Sequence, residues 1–185
     1  VIVGLYDTKL IKFDLNTKVQ TELRADILGF TSLADTGYFI KQDGTITNAV
    51  WNGTGYNNEQ VIVSNAPTNG SYHELIITDR KELFLNKKED GLFKVGVTVE
   101  KIVSNVIIVN LDYATDELTY TNVYEAGFYN FIAHKPQLLT RSNIGDSKYI
   151  IRSSLGYGFL QTYPGLELIE IDSRDHQNRY MLFEG

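Results

Sequence analysis

A chain of 185 residues with 43% apolar and 22% charged residues can bury a core without cross-links, and it is too apolar to be disordered throughout. Its net charge of −6 repels phosphate backbones, and Lys87-Lys88 is followed at once by Glu89-Asp90, so neither composition nor patterning favours a nucleic-acid partner. The absence of cysteine excludes disulfides, thiolate metal ligands and cysteine nucleophiles, and no apolar run approaches the roughly 20 residues of a spanning helix, so no membrane insertion is expected.

The aromatic count, 12 Tyr and 9 Phe against 3 Pro, favours strands. Ile2 to Tyr6 reads as the first. Lys9 to Leu23 reads as a hairpin turning at Asp14-Leu15-Asn16-Thr17, since an apolar run closed by Asp or Gly and reopened by Thr, Leu or Val is the pattern of a hairpin. Arg24 to Leu33 has room for one helical turn. The next hairpin turns at Asp43-Gly44, the strongest two-residue turn signal in the chain. From Asn48 to Tyr72 the composition shifts to Asn, Gly, Thr and Ser around a short strand, Gln60 to Ser64, which predicts a surface loop.

Leu75 to Asp79 and Glu82 to Asn86 form a further hairpin, and Asp90-Gly91 leads into Leu92 to Val99. The nearly unbroken apolar run Ile102 to Leu111 predicts one strand buried on both faces at the centre of the architecture, with Val103 to Leu111 its most buried part. It turns at Asp112 to Asp116 and returns as Leu118 to Thr121. Phe128 to His134, Gln137 to Thr140, Tyr149 to Ser153, Gly158 to Tyr163, Glu167 to Asp172 and Arg179 to Phe183 complete the strands.

The turn aspartates Asp14, Asp43, Asp79, Asp112 and Asp172 are separated by 29, 36, 33 and 60 residues, the last interval being near twice the others. A spacing of ~30–50 residues marks propellers and other β arrays. The expected fold is therefore all-β, built of serial antiparallel hairpins as a partial or small β-propeller-like array, with a β-sandwich or barrel as the alternative. One domain spans 1–185, either whole or as a piece of a longer chain.

Gly70-Ser71-Tyr72-His73-Glu74-Leu75-Ile76-Ile77-Thr78-Asp79, followed by Glu82-Leu83-Phe84 and by Asp90-Gly91-Leu92-Phe93-Lys94-Val95-Gly96, resembles one repeat of the regulator-of-chromosome-condensation type. In that family a Gly-x-x-His leads into an apolar strand, a turn, a second strand and a Gly-bounded loop. Gly37 to Ile46, with Trp51 and Gly53 beyond it, echoes the pattern but lacks the His. The resemblance covers residues 70–96 and the echo, and it implies a propeller segment. Family propellers have about seven blades, more than this length supplies, and no family function is carried over.

The histidines His73, His134 and His176 show no HxH or HxxxH pairing, and the carboxylates Asp112, Asp116 and Glu117, like Asp172 and Asp175, lack the alternation of a calcium loop and read as turn residues. No metal ligand, cofactor or catalytic residue is assigned. The segment Trp51-Asn52-Gly53-Thr54-Gly55-Tyr56-Asn57-Asn58 is the most suggestive, because sugars are held by an aromatic face against their C–H side and by amides on their hydroxyls. Its candidate ligand-binding residues are Trp51, Asn52, Tyr56 and Asn57, although a glycine-rich turn anchored by a buried Trp fits as well.

The expected function is a nonenzymatic structural or interaction module, such as a virion, appendage or surface-assembly component. Serial hairpins with few prolines and sparse edge lysines leave edges open to self-association or a protein partner. The alternatives are a lectin-like module binding a glycan, and a propeller or sandwich hydrolase whose distant carboxylates converge.

Overall fold

In a computed structural model of the chain, the backbone is described for residues 1–70, 73–88, 90–106, 108–112, 117–121, 125–141, 149–152, 157–161, 165–170 and 179–184, with side chains through most of the first 106 residues and at some positions up to 136. Among these residues the fold is all-β, every sheet is an antiparallel meander, and no helix occurs. The first sheet joins β1 (Ile2–Tyr6), β2 (Lys9–Phe13) and β3 (Gln20–Arg24). The second joins β4 (Ile27–Leu33), β5 (Thr36–Lys41), β6 (Ile46–Trp51) and β7 (Tyr56–Val63), and the third β8 (Glu74–Ile77), β9 (Leu83–Lys87), β10 (Gly91–Val95) and β11 (Val99–Ser104).

The fourth sheet holds β12 (Ile108–Asp112), β13 (Glu117–Thr121), β14 (Glu125–Asn130) and β15 (Lys135–Arg141), and the fifth β16 (Tyr149–Arg152), β17 (Tyr157–Gln161), β18 (Gly165–Glu170) and β19 (Arg179–Glu184). Four strands in sequence order are the make-up of a propeller blade. The first sheet has three.

The chain divides into two compact units, one of Val1–Lys87 with Phe93–Glu100, the other of Lys88–Leu92 with Lys101–Gly185. In the first unit the core follows the two-residue period of β5. Phe39 lies with Leu10, Ile27 and Ala49, joining the first sheet to the second. Its neighbour Ile40 lies with Ile46, Val63, Leu75, Ile77, Leu83 and Leu85, joining the second to the third. Adjacent residues thus serve two cores, and β5 is apolar on both faces for that reason. In the second unit Leu118, Tyr120 and Tyr129 are buried, and the Tyr129 ring meets that of Phe131 edge-on at 5.2 Å.

The turns are where the sequence signals act. Asp14 Oδ1 accepts from the amides of Asn16 and Thr17 at 2.8 and 3.0 Å, and Asp43 Oδ1 from Thr45 at 2.8 Å. These bonds to the ionised form hold both carboxyls below their ordinary range. Gly44, at φ +82, takes the left-handed position of the β5–β6 turn.

Four expectations are corrected. Arg24 to Leu33 holds no helical turn: β3 ends at Arg24, β4 begins at Ile27, and Asp26 between them sits at φ +58, which a short polar side chain tolerates. Asn48 to Ser64 is the long hairpin β6–β7 with a turn of Asn52 to Gly55, because cross-strand pairing overrides the low strand propensity of Asn. The run Ile102 to Leu111 is divided between β11 and β12. It breaks at Asn105, φ +55, whose amide bonds to the Asp90 carbonyl at 3.0 Å. Phe128 to His134 ends as a strand at Asn130, and His134 sits in the next turn at φ +51.

The aspartate intervals also measure something other than the repeat. Asp43 lies between the second and third strands of its sheet, and Asp79 between the first and second of its own. Asp116, Asp172, Asp175 and His176 lie outside the described residues.

Candidate functional site

The segment singled out in the sequence forms the closed end of β6–β7. Trp51 pairs with Tyr56 across the hairpin, and their rings meet edge-to-face at 5.0 Å. The Asn52 amide bonds to the Gly55 carbonyl at 3.0 Å. Asn52 Oδ1 accepts from the Thr54 amide at 3.0 Å, the Thr54 hydroxyl at 2.9 Å and the Gly55 amide at 2.9 Å. Its oxygen is committed to the turn.

Tyr56 continues inward. Its ring lies 5.1 Å from Phe39 and 5.9 Å from Phe30, the latter two stacking at 5.4 Å, and burial pushes its phenol up. This approach depends on Gly37, where a Cβ would stand 2.6 Å from Tyr56 Cε1. Arg24, from β3, lies 4.6 Å over the Phe39 ring and donates to the Tyr56 carbonyl at 3.2 Å. It also pairs with Glu59, which a second ion pair joins to Lys41. Burial alone raises the Glu59 carboxyl, but the bonds and charges of Lys41 and Arg24 outweigh it and bring it to about 2.

Of the four sequence candidates, Trp51 and Tyr56 are brought together and Asn52 stands at the hairpin tip. Asn57 pairs with Val50, so its side chain leaves the opposite face from the aromatic pair. The arrangement locks the hairpin end to the core under it. Trp51 and Tyr56, both half-buried, are its aromatic contacts with solvent.

His73 is buried, with Nε2 unpartnered; burial and then the charge of Lys87 hold it below its ordinary value. His134 is exposed. Among the described residues no group of three or more His, Asp or Glu is placed to hold a metal ion, and no helix is long and apolar enough to cross a membrane.

The surface that sequence reasoning passed over is β1. Ile2 and Tyr6 are 56% and 76% exposed, and Val1 is also largely exposed. Leu10 beneath the sheet is fully buried. The first sheet therefore has one face on the core, and on its outer face the exposed Ile2 and Tyr6 of β1 stand in water beside the exposed ion pair Lys9–Glu22 of β2 and β3. The signal was present: Ile2-Val3-Gly4-Leu5-Tyr6 carries no charge.

No protein-family model matches the chain, and no curated protein matches it. Among solved structures it is similar to the extracellular domain of a B. thetaiotaomicron protein described as a one component system, with TM-score 0.58 and 11% identity over 95% of this chain and 25% of that one. A second structure, described as from a hybrid two component system of the same organism, gives TM-score 0.56 and 13% identity over 93% and 26%. The computationally designed protein Ika8 gives TM-score 0.54 and 10% identity over 94% of this chain and 58% of its own. The chain thus spans about a quarter of the length of these two natural proteins, and what it shares with all three is an all-β fold.

Proposed function

We propose that the chain is a nonenzymatic interaction module that associates with protein through its first sheet. The observation that carries this reading is β1, an uncharged strand whose Ile2 and Tyr6 project into water beside a sheet whose other face is buried. Burying such residues yields about 1.5–3 kcal/mol each, enough for a few of them to drive association.

The test is sedimentation velocity up to high micromolar concentration, with the wild-type chain beside an Ile2→Lys/Tyr6→Lys variant. Both positions are exposed, so the variant folds. The expected result is concentration-dependent association of the wild type that the variant loses. A wild type as monomeric as the variant at every concentration overturns the reading.

A further inference from the structure

Asparagine followed by glycine is a chemically labile pair, because a glycine amide with no side chain beside it closes readily on the asparagine carboxamide, and the chain holds the pair at Asn52-Gly53 and at Asn69-Gly70. Both glycines take left-handed backbone angles, φ +93 and +95, and both pairs are exposed to water. Neither glycine amide donates a hydrogen bond among the described residues. What differs is the group that holds each side-chain oxygen.

The Asn52 oxygen is held by its own turn: the Thr54 and Gly55 amides and the Thr54 hydroxyl bond to it, and closing a ring onto Gly53 would swing it away from all three. The Asn69 oxygen accepts instead from Lys87 Nζ, and Lys87 stands at the end of β9 and is 5% exposed. A Cβ built on Gly70 would lie 3.8 Å from Lys87 Cε, so the lysine stem runs beside the glycine whose amide would close the ring. A cation on a flexible four-carbon stem can follow an oxygen as that oxygen gains charge, and in buried surroundings its attraction is screened less than in water.

We propose that Asn69 is a site of self-modification, at which the buried Lys87 ammonium promotes loss of ammonia from the asparagine side chain. The Gly70 amide nitrogen gives its proton to water and bonds to Asn69 Cγ, and negative charge gathers on Oδ1, where Lys87 already donates. The electron pair returns from Oδ1 as the Cγ–Nδ2 bond breaks, and Nδ2 takes a proton from water and leaves as ammonia. A cyclic imide remains. Water adds to one of its two carbonyls and opens it, leaving aspartate or isoaspartate at position 69. The net change is amide and water to carboxylic acid and ammonia, with no oxidant, reductant or cofactor. In the aspartate form a carboxylate replaces the neutral acceptor of the Lys87 ammonium, and this stronger, charge-assisted bond ties the segment ahead of β8 more firmly to β9.

The experiment incubates the whole chain near neutral pH, in native buffer and in concentrated urea, and follows the amide-to-acid mass change at each asparagine by peptide mapping. The unfolded chain is the reference, since the ordinary lability of Asn-Gly persists there without Lys87 at hand. The expected result is conversion of Asn69 about tenfold faster in the folded chain than in urea, while Asn52 converts more slowly folded than unfolded. Lys87→Met is expected to abolish the acceleration at Asn69, and Lys87→Arg, which keeps the charge, to retain much of it, with Asn52 slow in both because its turn stays folded. A folded wild-type chain in which Asn69 converts no faster than in urea overturns the proposal, and so does an acceleration that survives Lys87→Met.

Discussion

Gly37 and Tyr56 touch because Gly37 has no side chain: a Cβ there would lie 2.6 Å from Tyr56 Cε1 and 2.8 Å from Phe39 Cζ. Two rings close on a backbone position from different strands, and neither can withdraw without opening the aromatic cluster. Gly37→Ala is expected to cost about 1–3 kcal/mol, the range for forcing an added methyl into packed surroundings. Urea unfolding followed by the fluorescence of Trp51, the single tryptophan, reads this directly; an unchanged midpoint would mean that the rings yield freely.

Phe39 is fully buried and is the ring over which Arg24 lies. Phe39→Ala removes the ring from the cluster with Leu10 and Ile27, and a loss of about 3–5 kcal/mol is expected in the same assay.

Two pH windows separate two side chains. Glu59 has its folded pKa lowered from 4.5 to about 2, so the stability it contributes is complete above pH 4.5 and declines as pH falls toward 2. With the group partly exposed, the loss is on the order of 1–3 kcal/mol. His73 is also lowered, from 6.5, so its penalty begins higher, as pH drops through 6.5 and the unfolded chain binds a proton that the fold refuses. Denaturation midpoints of Glu59→Gln and His73→Gln between pH 8 and 3 should each flatten one window and leave the other. A variant that flattens both would show that the two titrations are one event.

Asn52 receives three bonds on one oxygen at the hairpin tip. Asn52→Ala is expected to cost about 1 kcal/mol, since the exposed donors regain water. Trp51→Ala should also destabilise, through its contact with Tyr56, and a glycan array should show no signal that tracks with it. Reproducible sugar binding abolished by Trp51→Ala would support the lectin reading instead.

The strands were legible wherever a turn residue closed an apolar run. Ile2 to Tyr6 is a strand over that whole span, and Asp43-Gly44 lies in a hairpin turn, because Asp and Gly act through local bonds and φ alone. The hairpin β6–β7 was not legible, since Asn48 and Asn57 are poor strand residues held there by partners across the sheet, and Asn58 sits at φ +55 where the register shifts. The run Ile102 to Leu111 misled for the converse reason: Ser104 and Asn105 are a small interruption in hydropathy but a large one in backbone conformation. The candidate site suffered from the strand period itself. Trp51, Tyr56 and Asn57 are close in sequence, yet adjacent residues of a strand face apart.

Each described strand pairs only with its neighbours in sequence, and the exits of the second and third sheets are fastened alike, by an amide bonded back to the turn between the second and third strands, Ala66 to Gly44 and Asn105 to Asp90. A chain wired in this way carries no instruction about how many sheets there are. Duplication or loss of a segment of some 35–45 residues would start and stop at equivalent joints, so the gene can lengthen or shorten by whole sheets while each remaining one keeps its own wiring. Length, in such an architecture, is a variable that evolution can adjust separately from foldability.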